Sequence, residues 1–340
     1  MAAAFEAFAA AFEAFIVRND EQGFRTGLEQ VTPDFLPEGN VLVRVTYSSV
    51  NYKDGLAGTA DGKIVRSYPF IPGIDLAGEV VESRDARYAP GDQVLCTGYE
   101  LGVSHFGGYS QYARVQGDWL VRLPEGLSAK VAMAVGTAGF TAALSVHSLL
   151  DQGLAPESGP ILVTGATGGV GSTAVAILSR LGFEVTASTG KAETQTALLK
   201  SLGAAHVISR EEAQAVSKGA LAKTQWAGIV DPVGGPATAE HLKRLQYGGI
   251  LALSGLTGGG SFDATVFPFI LRGVRLQGID SVYCPMPLRS EIWNKLAEAW
   301  KPVKLLELGI QEVTLSELPD VLAAILQGQA AGRTVVRIND

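Results

Sequence analysis

The chain has 340 residues, 27 basic and 34 acidic, a formal net charge of −7, and 47% hydrophobic against 18% charged residues. That length and apolar content suit about two domains with full cores and exclude global disorder. An acidic balance without a long basic run excludes an extended nucleic-acid surface, although a local basic pocket stays open.

In chain order, the first feature is a tandem: Ala2–Phe8 and Ala9–Phe15 both read AAAFEAF. No basic n-region or clear cleavage site accompanies it, so a secretory signal is not supported. It reads as a fraying helix, with residues 1–11 outside the fold. From Val41 to Val50 apolar and polar residues alternate with many β-branched ones, which predicts a strand. Short strands are also predicted at Leu76–Glu82, Gln93–Thr97 and Tyr109–Val115, between Gly, Pro and Asp punctuation. The segment Val131–Leu150 lacks Asp, Glu, Lys and Arg, yet contains Gly136, Thr137, Gly139 and His147 and has no basic flank at its far end. It predicts a buried helix and turn, not a bilayer span.

After about Pro124 helical patterns alternate with apolar strands at Ile161–Thr164, Glu184–Ser188, His206–Ile208, Gly228–Val230, Gly249–Ser254 and Arg275–Gly278. This predicts an α/β fold with a doubly wound parallel sheet (a Rossmann domain). Gln311–Thr314, a helix over Leu318–Gln327 and Thr334–Ile338 then read as a return to the mostly β domain. The expected domains are therefore 12–128 with 302–340, and 129–301. Cys96 and Cys284 are too few for a four-cysteine zinc lobe or a disulfide framework, and fit a reducing cytoplasmic compartment.

The strongest local signal is ILVTGATGGVGS, Ile161–Ser172. A strand runs into Gly165, Thr167, Gly168, Gly169, Val170 and Gly171 before a helix whose Val170, Ala174, Ile177, Leu178 and Leu181 recur at helical spacing. Such glycines let backbone approach a pyrophosphate at a helix amino terminus. An NAD site usually carries a carboxylate at the end of the next strand. Here that end is Ser188, Thr189, Gly190 and Lys191, which would donate to a 2′-phosphate, with Arg210 placed to close over it. NADPH is the expected cofactor; the bland alternative is that Lys191 merely begins the next helix.

At this point the chain resembles the zinc-independent medium-chain dehydrogenase/reductase superfamily, specifically its quinone-oxidoreductase-like branch, which includes acrylyl-CoA reductases. The residues that carry the resemblance are Ser49-Val50-Asn51-Tyr52-Lys53-Asp54, Pro72-Gly73-Ile74-Asp75-Leu76-Ala77-Gly78, Gly107-Gly108-Tyr109-Ser110, Gly139-Phe140-Thr141-Ala142, the Gly-rich loop and Ala331-Gly332-Arg333-Thr334. The resemblance implies a GroES-like catalytic domain beside the Rossmann domain, and a homodimer formed through the last strand of the parallel sheet. Zinc-dependent relatives hold the metal near the Asn51 and Ile74 positions. Asn51 and Ile74 are poor ligands, and His105, His147, His206 and His241 show no HxxxH spacing, so no metal is expected.

What remains is hydride transfer to an already polarised acceptor, an enoyl thioester or a quinone. Asn51, Tyr52 and Asp75 are the candidate catalytic residues. Tyr52 would donate a proton, and Asp75 would order a water or fix Asn51. Against this, the alternatives are Tyr52 as a packed aromatic, Asp75 as a turn or cap residue, and Lys53–Asp54 as a solvated pair. Tyr52, Thr141, Leu253, Ser254, Ile279, Ser281 and Arg333 join the candidate cofactor contacts, with a surface ion pair as the alternative for Arg333. Arg66 and Arg272 are candidates for an anionic CoA tail. The leading expectation is NADPH-dependent reduction of a short enoyl-CoA. Quinone reduction and a non-catalytic NADPH sensor remain as alternatives, and no nucleic-acid or membrane partner is expected.

Overall fold

The computed structural model describes residues 10–308, 310–328 and 332–339. Its strands, in chain order, are β1 (Phe12–Asp20), β2 (Gly23–Val31), β3 (Val41–Ser49), β4 (Asp75–Ser83), β5 (Gln93–Thr97), β6 (Tyr112–Val115), β7 (Val121–Arg122) and β8 (Ile161–Val163). They continue with β9 (Val185–Thr189), β10 (His206–Ser209), β11 (Trp226–Asp231), β12 (Leu245–Leu253), β13 (Arg275–Gly278), β14 (Ile310–Thr314) and β15 (Arg333–Arg337). The chain divides into two compact units: Met1–Thr137 with Pro285–Ser290 and Ile310–Asp340, and Ala138–Cys284 with Glu291–Gly309.

In the first unit β14, β15, β3, β4, β5 and β7 form one sheet in that order, with β6 also paired to β3. Strand β3 shows why the alternation matters: Leu42 enters one buried cluster with Phe12, Phe15 and Leu318, while Val41, Val43 and Val45 enter another with Leu76, Val80 and Val94. The antiparallel hairpin β1–β2 corrects the helical reading of the tandem. Phe12, Ala14, Phe15, Ile16 and Val17 are buried almost consecutively, so no period of two is visible, and Phe15 pairs with Leu28 in register. The first copy of the tandem, Ala2–Phe8, lies outside the described residues.

The second unit is a six-stranded, wholly parallel sheet in the order β10–β9–β8–β11–β12–β13. Counted from β8, this is order 3-2-1-4-5-6, the doubly wound arrangement, with the switch point between β8 and β11. Helix α3 (Gly169–Arg180) packs Ala174, Ile177 and Leu178 inward; Val170 and Leu181 are only half-buried. Helix α2 (Ala129–Asp151) is long and apolar enough to cross a membrane, yet its most apolar stretch is 78% buried, and it breaks at Gly136, where φ is +52°. The first unit keeps Ala129–Thr137, past the expected change at 128/129, because Asp75 and Arg333 hold Thr137 and Ala134.

Within the second unit the indole of Trp293, fully buried, stacks on Phe140 with ring centroids 5.8 Å apart and 6° between planes. Trp293→Ala removes that volume and is expected to cost about 3–5 kcal/mol. Urea unfolding followed by fluorescence of the other tryptophans checks it.

Candidate active site

The first unit builds its polar centre where β3 ends and β4 begins, because those strands run antiparallel side by side. Asp75, the first residue of β4, is fully buried. Its Oδ2 accepts from Ser49 Oγ at 2.5 Å, Asn51 Nδ2 at 2.8 Å and the Thr137 N–H at 2.9 Å, and its Oδ1 accepts from Thr137 Oγ1 at 2.5 Å. Of the two options for Asp75, the geometry supplies the holding of Asn51; three of the four donors reach Oδ2 and one reaches Oδ1.

Asn51 sits in extended backbone just before α1 (Tyr52–Ala57) and is nearly buried. Its amide is held at both ends: Nδ2 donates to Asp75 and to Ser49 Oγ, and Oδ1 accepts from Arg333 Nη1 at 3.4 Å. That network fixes which way the amide faces. Tyr52, the next residue, is 49% exposed, which removes the packed-aromatic alternative.

Burial removes the surface-ion-pair alternative for Arg333. It is buried in the first unit, and Nε donates to Ala134 O at 2.8 Å while Nη1 donates to Val50 O at 3.3 Å and to Asn51. Its Nε and Nη1 donors go to the backbone around Asn51 and to Asn51 itself, not to a surface ion pair. Its Nη2 is buried without a hydrogen-bond partner. At Gly136 a Cβ would stand 2.7 Å from that nitrogen and 2.7 Å from Asp75 Oδ2, so only glycine fits the break in α2.

The solvated-pair reading of Lys53–Asp54 fails for Asp54, which is fully buried. Arg272 is likewise corrected: its guanidinium donates to the carbonyls of Lys243, Leu245 and Ala222, leaving a CoA tail no obvious grip, whereas Arg66 is exposed. Among the described residues no three His, Cys, Asp or Glu side chains come together as a metal donor set. Cys96 lies in the sheet core, where burial pushes its thiol up to about 12.

The second unit places its glycines at the switch point of the parallel sheet. Thr164, after β8, donates to Asp231 Oδ1 at 2.6 Å, and Asp231 at the end of β11 also accepts from the N–H groups of Val233 and Gly234 and from Thr238 Oγ1. Asp231 thus ties the two strand ends together. The sequence reading missed it, although a carboxylate followed by Pro-Val-Gly-Gly at a strand end was a readable signal. Within the Gly-rich loop a Cβ at Gly171 would lie 2.3 Å from Gly165 O, so backbone approaches closely there.

A pocket beside this loop is lined by Thr164, Gly165, Thr167, Ser188, Thr189, Gly190, Lys191, Arg210, Gln214 and His241, among others. The hydroxyls of Thr167 and Thr189 share a hydrogen bond of 3.1 Å. Lys191 stands at the N-cap of α4 (Ala192–Leu202) and lines the pocket. Arg210 starts α5 (Arg210–Ala213), and its guanidinium lies along Gly190, where a Cβ would meet Nη2 at 2.7 Å. His241, on α6 (Ala237–Arg244), is buried with Nδ1 unpartnered, and burial lowers its pKa. Gly168 and Gly169 open α3 as its N-cap and first residue, with Val170 following.

The remaining expected contacts gather at the carboxyl ends of β12 and β13. The Ile279 N–H donates to Leu253 O at 2.9 Å, Ser254 Oγ is buried without a partner, and Thr141 Oγ1 donates to Ser281 Oγ at 2.8 Å. Orphaned polar atoms, a backbone cradle and no carboxylate at the tip of β9 fit a dinucleotide with a 2′-phosphate.

Residues 37–125 match the family model of the alcohol dehydrogenase GroES-like domain, and residues 169–299 match that of the zinc-binding dehydrogenases. The chain is 54% identical over 327 residues to the putative quinone oxidoreductase YhfP of Bacillus subtilis, covering 96% of this chain and 99% of that one. It is 51% identical over 330 residues to the acrylyl-CoA reductase AcuI of Ruegeria pomeroyi, with 96% and 99% covered. The chain belongs to the medium-chain dehydrogenase/reductase superfamily.

Among solved structures, the yhdH oxidoreductase of Salmonella enterica in complex with NADP superposes with a TM-score of 0.91 at 46% identity, covering 96% of this chain and all of that one. Bacillus subtilis yhfP with NAD bound superposes with a TM-score of 0.94 at 53% identity, covering 97% and 100%. Within this superfamily member, Arg333 is the buried cation of the Asp75 centre. Arg333→Leu strands buried carboxylates and is expected to cost about 3–5 kcal/mol. Chemical unfolding of the variant beside wild type measures it.

Proposed function

We propose that the protein is an NADPH-dependent reductase of the conjugated double bond of a short enoyl-CoA thioester. The cofactor half of this reading is carried by the tip of β9, where Ser188, Thr189, Lys191 and the neighbouring Arg210 stand where an acidic residue would repel a 2′-phosphate. The yhdH structure with NADP supports it. The substrate half is supported by the 51% identity to a chain named acrylyl-CoA reductase.

Bound nicotinamide supplies a hydride, which suits an acceptor carbon already polarised by its thioester carbonyl. The chain then has two tasks: to hold the acceptor still and to provide a proton. Tyr52, exposed beside a side chain locked at both ends, offers a hydroxyl that donates to the thioester carbonyl or passes the proton through water. Asn51 and Asp75 keep the turn from which Tyr52 projects in place, so little reorganisation is needed when the acceptor arrives. Thr167, Gly168, Gly169 and Val170 would serve the pyrophosphate, and Thr141, Leu253, Ser254, Ile279 and Ser281 the remainder of the dinucleotide.

A homodimer is part of this reading. Strand β13 is an unpaired edge of the parallel sheet, and Val266, Ile270, Leu271 and Tyr283 are exposed in the sequence segments flanking it.

The second reading, quinone reduction, is favoured by the 54% identity to a putative quinone oxidoreductase. Parallel assays of NADPH absorbance with acryloyl-CoA and with a simple quinone separate the two. Saturable oxidation with the thioester at micromolar concentration, and slow oxidation with the quinone, is the expected result. The reverse ranking refutes the thioester assignment.

A further inference from the structure

We propose that Asp54 is the positioning residue of the reaction-bearing turn: its carboxyl group clamps the main-chain N–H of Asn51 to that of Ile74 and so fixes where Asn51 and Tyr52 stand. This deepens the functional reading above and rests on it for the turn's importance, while the clamp itself is independent of any substrate. The geometry is direct. Asp54 Oδ2 accepts from the Asn51 N–H at 2.9 Å and Asp54 Oδ1 accepts from the Ile74 N–H at 2.9 Å, spanning 3 and 20 residues of chain. The first bond braces the residue that precedes Tyr52. The second braces the residue that precedes Asp75. One side chain therefore ties together the two segments that present Asn51 and Asp75 to each other.

The charged and titratable groups facing Asp54 come from three other elements. Asp75 stands on β4, Tyr109 on the loop before β6, with its hydroxyl donating to Ser49 O at 3.0 Å, and Arg333 on β15. Both buried carboxyl groups act on the Arg333 guanidinium through space, its hydrogen bonds going to Ala134 O, Val50 O and Asn51. Burial, then the neighbouring Asp75, pushes Asp54 up to about 7, against the two backbone N–H donors that favour the ionised form. Ionised, both oxygens accept freely. Protonated, one oxygen carries the hydrogen and its hold on the facing N–H weakens. Because the folded-state value is raised, the protonated form stabilises the fold at low pH. That contribution is lost as pH rises from about 4 through about 7, while the clamp tightens over the upper part of the same range.

The test uses full-length protein without substrate first. In Asp54→Asn, a carboxamide offers one acceptor oxygen and turns an N–H group toward the other donor. Hydrogen exchange at Asn51 or Ile74 is expected to accelerate at least about tenfold, with exchange at Ala166 in the nucleotide loop unchanged. Unchanged exchange at both Asn51 and Ile74 in a folded variant overturns the clamp, whatever reaction the protein performs. Should the variant not fold, the wild type decides alone: the Asn51 and Ile74 amide resonances are expected to titrate together with one midpoint near 7, and independent or absent titration overturns the proposal.

Turnover then tests positioning. With the better of the two acceptors, kcat of Asp54→Asn is expected to fall about tenfold to a hundredfold with the Kd for NADPH held, and to lose the wild type's rise through neutral pH. Accelerated exchange with wild-type kcat overturns the positioning role. A wild type inactive on both acceptors refutes the functional reading instead, and the exchange data still decide the clamp.

Discussion

The first unit depends on one buried carboxylate. Asp75 gathers donors from the end of β3, from the turn that follows it and from the break in α2, and it does so where no water competes. An unpaired charge there would be costly, so each partner is held as firmly as the carboxylate is. Arg333 completes the arrangement from the far end of the chain, about 200 residues from the Ala134 carbonyl it binds. The position of Asn51 is thus set by residues drawn from four separate stretches of sequence. A rigid amide beside an exposed phenol is the outcome, and the proposed chemistry uses that combination.

The second unit follows a different constraint, the topology of its sheet. Strand β8 and strand β11 are neighbours in space but separated by two strands in sequence, so their carboxyl ends leave a crevice no connection covers. The Gly-rich loop and α3 begin there, and Asp231 fastens the two strand ends from beneath. Binding groups and fold are therefore inseparable: the glycines that let backbone approach a pyrophosphate are those that let α3 pack on the sheet. Of the two similar structures, that of yhdH holds NADP and that of yhfP holds NAD.

Much of this was legible in the sequence because it is written in periodicity. The strands of the parallel sheet, β5 and β13 to the residue, and the loop Ile161–Ser172 all follow local patterns. What escaped is non-local. Strand β1 is apolar on both faces and the alanines that precede it imitate a helix, while β2 is mostly half-buried and shows no apolar stripe. Asp54 follows a lysine on a short helix, and nothing nearby in sequence announces that its acceptors serve an amide 20 residues away. The buried bonds of Arg333 escaped for the same reason: its partners are Ala134, Val50 and Asn51, far up the chain.

The proposed chemistry is hydride addition at the β-carbon of a conjugated thioester held beside Asn51 and Tyr52. The most direct measurement is the position of isotope in the product when acryloyl-CoA is reduced by NADPH deuterated at the hydride-bearing carbon. One deuterium at the β-carbon of propanoyl-CoA, with a solvent proton at the α-carbon, is the predicted result. Propanoyl-CoA without label at that carbon, or NADPH consumed with no reduced thioester formed, would contradict it.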